Sequence, residues 1–243
     1  MGAKEEEGGS TGINDNQNNM SAFSSGAVYL FTRTDAIWSQ QAYIKASNTA
    51  EGSLFGGSVS LNGDGNTLAV GAAEEEGTST GINGIQNNTG AIPSGAVYLF
   101  TRTDTLWSQQ AYIKASNTAE GSFFGGSVSL SEDGNTLAVG AAEEGGASTG
   151  INGNQNGTNS ISGYGAVYLF TRTDALWRQK SYVKASNTGE GDQFGASVSL
   201  NGTGNTLAVG AAGEGSGESS SAIGINGDQS NNLAAASGAV YLY

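Results

Sequence analysis

Trp38, Trp107 and Trp177 open three nearly identical stretches of the chain. Indoles at regular intervals could stack on sugar rings, one per repeat, or pack between neighbouring elements of a fold. Acidic side chains form a second recurring set. Glu51, Glu120 and Glu190 lie in matched SNT-x-EG segments, Glu74, Glu75 and Glu76 begin one long polar stretch, and Glu143 and Glu144 begin the next. Such carboxylates could meet basic proteins, polysaccharides or divalent cations. Carboxylate pairs also hydrolyse glycosides, but a catalytic site is singular and every acid here recurs or falls in a loop. There is no histidine or cysteine and no HExxH or P-loop pattern, so the chain reads as non-enzymatic. Lys45, Lys114 and Lys184 are equally periodic and are expected to snorkel or to pair with the connector glutamates. Arg33, Arg102 and Arg172 are expected to neutralise Asp35, Asp104 and Asp174.

Composition narrows the partners. Twenty-two acidic against nine basic residues give a formal charge of −13 over 243 residues. That balance disfavours nucleic acid and anionic membrane, and it leaves basic proteins, polysaccharides or cations open. Without cysteine there is no disulfide or thiolate chemistry. No apolar run reaches membrane-spanning length, and residues 1–10 lack the apolar core of a signal peptide.

The elements that must position these residues repeat. The text GAVYL begins at Gly26, Gly95, Gly165 and Gly238, steps of 69, 70 and 73 residues. Residues 27–33 (AVYLFTR) are apolar on both alternating faces, as in a strand covered on both sides. Residues 38–46 (WSQQAYIKA) are half polar and suit a sheet edge. Residues 55–61 (FGGSVSL) put Phe55, Gly57, Val59 and Leu61 on one face and only Gly56, Ser58 and Ser60 on the other, which suits a strand where sheets crowd together. The segment 62–65 (NGDG) is a hairpin turn leading to the strand 67–71 (TLAVG). Tyr29, Tyr98, Tyr168 and Tyr241 read as core. A polar loop of some 20 residues joins TLAVG to GAVYLF in each copy. Its GIN triplets suggest that Ile82 and Ile151 tuck back onto the sheet. Residues 2–25 match the loop at 71–94, so the chain is expected to open just after a missing strand, with thirteen strands in all.

Phe55-Gly56 with Gly71-Ala72-Ala73, Phe124-Gly125 with Gly140-Ala141-Ala142, and Phe194-Gly195 with Gly210-Ala211-Ala212 resemble the FG-GAP repeat of integrin α-subunit propellers, in particular the bacterial integrin-α-like proteins. The usual final proline is alanine here. The resemblance implies an extracellular propeller used in adhesion or protein recognition. It also implies calcium in the hairpin between the first two strands of a blade, with Asn62, Asp64, Glu132 and Asp133 as candidates. This chain departs from the calcium pattern, because the first Asp is Ser60, the last is missing and the third hairpin carries Thr203 in place of Asp64. Calcium requires six or more oxygens, so plain turns are the stronger expectation and no cofactor is assigned.

The expected fold is therefore all-β, built of propeller blades of four antiparallel strands in tandem repeats of about 70 residues. It forms a single repeat domain: a partial blade at 1–46, blades at 55–116 and 124–186, and a partial blade at 194–243. This is a fragment or a half-ring completed by another chain. The expected function is an extracellular or cell-surface recognition and adhesion module, with Glu51, Glu74, Glu75, Glu76, Glu120, Glu143, Glu144 and Glu190 forming an acidic loop face. Alternatives are a self-assembling structural repeat, ring or fibre, and a carbohydrate-binding propeller using the three tryptophans. Homo-oligomers through blade completion, or a protein or polysaccharide ligand, are the expected partners.

Overall fold

Short apolar stretches separated by Asn-Gly, Asp-Gly and Thr-Asp turns fold into four antiparallel sheets. The computed structural model describes residues 1–87, 93–155, 162–215 and 237–243. The first sheet contains β1 (Gly2–Ala3), β2 (Ala27–Thr34) and β3 (Ile37–Ile44), and the second β4 (Ser58–Leu61), β5 (Thr67–Ala72), β6 (Ala96–Thr103) and β7 (Leu106–Ile113). The third contains β8 (Ser127–Leu130), β9 (Thr136–Ala141), β10 (Ala166–Thr173) and β11 (Leu176–Val183), and the fourth β12 (Phe194–Leu200), β13 (Leu207–Ala211) and β14 (Ala239–Leu242). Within each sheet the strands lie in chain order. This is a propeller-blade-like architecture. The described residues hold fourteen strands rather than thirteen, because Gly2 and Ala3 pair with Val28 and Ala27 as the tail of the strand expected to be missing.

Local chemistry accounts for the turns. Asp35, Asp104 and Asp174 adopt left-handed φ values of 56°, 56° and 51° at the β2–β3, β6–β7 and β10–β11 hairpins, a conformation that short polar side chains tolerate. They make no ion pair with Arg33, Arg102 or Arg172, contrary to expectation. The central strands of the second and third sheets are largely buried on both faces, and Ala96, Val97, Tyr98, Leu99 and Phe100 of β6 are essentially inaccessible, whereas Phe31 of β2 is exposed.

The small-residue face of the inner strands is where neighbouring sheets meet. Ser58 Oγ donates to Gly125 O at 2.7 Å, and Ser127 Oγ to Gly195 O at 2.8 Å. The N–H of Leu130 donates to Ser60 Oγ, and that of Leu200 to Ser129 Oγ. A Cβ on Gly71 would lie 1.9 Å from Gly125 O, and one on Gly140 would lie 2.0 Å from Gly195 O. The glycines of the repeated FG and GA pairs thus let backbone meet backbone across the seam. Val59 and Leu61, expected to share a face with Phe55, are 38% and 49% exposed while Phe55 is buried. The chain bends at Leu54 and Gly56 (φ 55° and 89°), so Phe55 packs on Tyr98 and Phe100 out of phase with the strand that follows.

The long loops do tuck back. Ile82 and Ile151 form bridges with Ile113 and Val183, as Ile13 does with Ile44. Asn14, Asn83 and Asn152 follow in left-handed conformation, and each side-chain Oδ1 accepts the N–H of Tyr43, Tyr112 or Tyr182.

Candidate functional site

Two groups of residues stand out: a buried polar cluster repeated at the seams, and the loop end of the sheets with its acids.

The cluster begins with Glu75, the second residue of its acidic run. A turn after β5 directs its side chain inward, where it is 3% exposed. Lys114, fully buried just after β7, donates to Glu75 Oε2 at 2.7 Å and to Ser94 Oγ at 2.7 Å. Tyr112 OH donates to Oε1 at 2.9 Å, and the Gly77 N–H to Oε2. Asn48, from the connector of the preceding sheet, completes the shell. Its Nδ2 donates to Glu75 Oε1 at 3.0 Å, and its Oδ1 accepts from Tyr98 OH at 2.6 Å. The next seam repeats the set with Lys184, Glu144, Asn117 and Tyr168, and the Tyr182 hydroxyl lies buried beside Glu144 without the hydrogen bond that Tyr112 makes. In the first sheet Lys45 pairs with Glu6 at 2.7 Å beside Tyr43 and Ser25. In the fourth, Glu214 is buried with Tyr241 and Asn187. Burial lowers the Lys114 and Lys184 pKa values, against the opposing pull of their glutamates. Burial, then the nearby glutamate, pushes Tyr98 and Tyr168 well above the ordinary tyrosine value. Burial and then Asp192 raise Glu214.

Glu75 and Glu144 are therefore interior ligands of lysine and not part of an acidic surface. The lysines do pair with glutamates, but with those opening the long loops and not with the connector glutamates. Sequence periodicity aligned all three glutamates of the first run equally; only the turn after β5 decides which one points inward.

Glu51, Glu120 and Glu190 are exposed, while Glu74, Glu76 and Glu143 are partly covered. The antiparallel topology puts the connectors before β4, β8 and β12 and the loops after β5 and β9 at the same end of the sheets. At that end lies a cleft of about 280 Å³ with an apolar lining, formed among others by Ala73, Phe123, Gly126 and Ala142, with Glu74 and Gln193 as polar members. Gln193 Nε2 donates to Glu143 Oε1 at 2.7 Å.

The tryptophans are positioned otherwise than stacking on sugars would require. Trp107 and Trp177 are only 8% and 6% exposed. Arg102 and Arg172 lie over their rings at 5.6 and 5.5 Å. A bulge in the outer strand of the preceding sheet turns Gln41 or Gln110 toward each, and Gln41 Oε1 accepts from both Arg102 Nη1 and Trp107 Nε1. These indoles pack between sheets. Trp38, with no described sheet before its own, is 65% exposed.

The calcium candidates sit in self-satisfied turns. Asn62 Oδ1 accepts the N–H groups of Asn66 and Thr67, and Asp64 Oδ1 accepts that of Asn66. Asp133 is bonded by Ser131 Oγ and Asn135, and its pKa is lowered by those bonds, Ser131 first. The Gly63 N–H donates to Glu132 O, and the Glu132 N–H to Gly202 O, so these hairpins link to one another through backbone. Among the described residues no cluster of three acids could hold a metal.

The profile of the FG-GAP repeat family matches residues 38–100, 107–170 and 177–243. The chain belongs to the FG-GAP repeat family, a class of non-catalytic, repeat-based structural and adhesion modules. Each matched unit runs from an outer strand into the inner three strands of the next sheet, so the sequence repeat straddles a seam. No curated protein matches the chain. Among the described residues no helix is long and apolar enough to cross a membrane.

Proposed function

We propose that this chain is an extracellular recognition module that takes a basic protein partner at the loop end of its sheets. The observation that carries the reading is the apolar-lined cleft with Glu74 in its wall, at the same end as exposed Glu51, Glu120 and Glu190. An aliphatic stem ending in a cation fits that chemistry: the stem covers Ala73 and Phe123, and the cation meets the carboxylates. The test uses a lysine-rich peptide as probe, titrated at low and moderate salt. Binding that weakens with salt and drops at least tenfold in E74Q/E120Q supports the reading. Equal binding to wild type and variant overturns it.

A second reading, self-assembly by blade completion, has its own observation. The first and fourth sheets have three strands, and Val240 and Leu242 of β14 are 72% and 73% exposed. Glu214 is buried with no lysine beside it among the described residues, whereas Glu75 and Glu144 each have one. An outer strand from a second copy would supply both the β-pairing and the cation. Light scattering across concentration distinguishes the cases. Dimers that E214Q leaves unchanged would count against a lysine–Glu214 contact, and a monomer at all concentrations would remove the reading.

A further inference from the structure

The seam cluster has the parts of a reaction as well as those of an ion pair. A buried amine, a primary amide and a carboxylate between them are the components of amide exchange. Glu75 touches Lys114 Nζ through Oε2 and Asn48 Nδ2 through Oε1, while the amide oxygen of Asn48 receives a 2.6 Å bond from Tyr98 OH. The set recurs at the next seam, where Glu144 touches Lys184 Nζ through Oε2 and Asn117 Nδ2 through Oε1, and Asn117 Oδ1 accepts from Tyr168 OH at 2.6 Å. We propose that Lys114 and Asn48, and likewise Lys184 and Asn117, join spontaneously as isopeptide bonds that tie each sheet covalently to the one before it.

The step balances without an external reagent. Lys114 Nζ passes one proton to Glu75 and attacks Asn48 Cγ with the lone pair so freed. The Nζ–Cγ bond forms, and the charge gathering on Oδ1 is met by the Tyr98 hydroxyl, as an oxyanion is by a fixed donor. The Cγ–Nδ2 bond then breaks. Nδ2 takes the proton held by Glu75 and departs as ammonia, and Nζ returns a second proton to the carboxylate. Of the five hydrogens on Nζ and Nδ2, one stays on the new amide, three leave with ammonia and one ends on Glu75. Burial favours the neutral amine on Lys114 and keeps the Tyr98 hydroxyl protonated. In an enclosed site the fixed neighbours replace bimolecular encounter.

The other two copies of the cluster are internal controls. Lys45 has Glu6 beside it but no asparagine of an earlier sheet, and Glu214 has Asn187 but no lysine among the described residues. Neither is set up to react.

The test is the intact mass of the whole chain under denaturing conditions, followed by peptide mapping. The expected mass falls short of the sequence mass by two ammonia molecules. Trypsin is expected to miss Lys114 and Lys184 and to yield branched peptides joining them to Asn48 and Asn117. E75Q is expected to lose the first branch and keep the second. If E75Q does not fold, the map of the wild-type chain decides alone. A mass equal to that of the sequence overturns the proposal. So does an ammonia loss that maps to Asn-Gly steps such as Asn62-Gly63 or Asn83-Gly84, since those lose ammonia as succinimides that mild base reopens.

Discussion

Replacing Gly71 with alanine tests whether the glycines of the repeated GA pair exist for the seam. The added Cβ would stand 1.9 Å from Gly125 O and 2.3 Å from Ser58 Oγ. A carbon and an oxygen rest at about 3.3 Å or more, so the two sheets must part by roughly 1.4 Å and the serine hydroxyl must also swing away, giving up its bond to Gly125 O. Losing that hydrogen bond costs about 1 kcal/mol. Forcing a methyl into a packed seam adds about 1–3 kcal/mol. The stiffer unfolded chain returns about 0.4–1 kcal/mol. The net destabilisation is about 1–3.6 kcal/mol, centred near about 2 kcal/mol, which at a mid-range urea slope of about 2 kcal/mol/M lowers the midpoint by about 1 M. Equilibrium urea unfolding followed by tryptophan fluorescence reads it. Gly140→Ala should match, because its Cβ would meet Gly195 O at 2.0 Å. Gly210→Ala should cost less, since it occupies the same motif position but its nearest neighbour is the rotatable Ser197 hydroxyl at 2.4 Å, with no carbonyl of a following sheet. Gly81→Ala, at φ 72° with open space around it, should cost only about 1–2 kcal/mol for its left-handed backbone. The seam argument fails if Gly71→Ala stays within about 0.5 kcal/mol of wild type, or if Gly210→Ala is as damaging as Gly71→Ala.

Trp107→Ala should lower stability by about 3–5 kcal/mol, whereas exposed Trp38→Ala should change it by less than about 0.5 kcal/mol; thermal melts of the two variants separate a packing role from a surface one. Lys45→Met leaves Glu6 without its cation and should cost up to about 3 kcal/mol, the low end for a broken buried pair because Glu6 keeps some water contact. At Glu6, burial pulls the pKa up but is outweighed by hydrogen bonds from Lys45, Gly8 and Tyr43 and by the Lys45 charge, so the folded-state value lies below the ordinary 4.5. Its contribution to stability is therefore present above that ordinary value and is lost as pH falls through the folded-state value, and Lys45→Met should flatten this acid limb in pH-dependent melts. The alkaline limb runs the other way. Burial raises Tyr98, Tyr112, Tyr168 and Tyr182, and pushes Tyr243 up to about 12. The stability they confer is whole below the ordinary tyrosine value and declines above it, so tyrosinate absorbance should rise together with unfolding rather than ahead of it.

Much of the fold could be read from local patterns. The turn residues and the return of the GIN loops onto their own sheets depend on neighbours within one repeat. What could not be read depends on partners across a seam. The acids at 74–76 look alike in sequence, yet only Glu75 turns inward to a lysine 39 residues further on. Trp38 and Trp107 open the same motif, yet one is exposed and the other buried, because only Trp107 has a bulged glutamine of an earlier sheet beside it. Leu61 and Leu130 share the motif SVSL and differ in the same way, 49% against 7% exposed. Near-identical repeats thus acquire different environments from their place in the series.

The returning GIN loops bear on how such a series can grow. Asn14 and Gly12 bond the backbone of Tyr43, Lys45 and Ala46, and the same cover recurs over Tyr112 and over Tyr182. The apolar half of every rim strand therefore has its main-chain groups already taken, and the inner strands are occupied with one another. A foreign strand is therefore kept off the covered half of each rim strand.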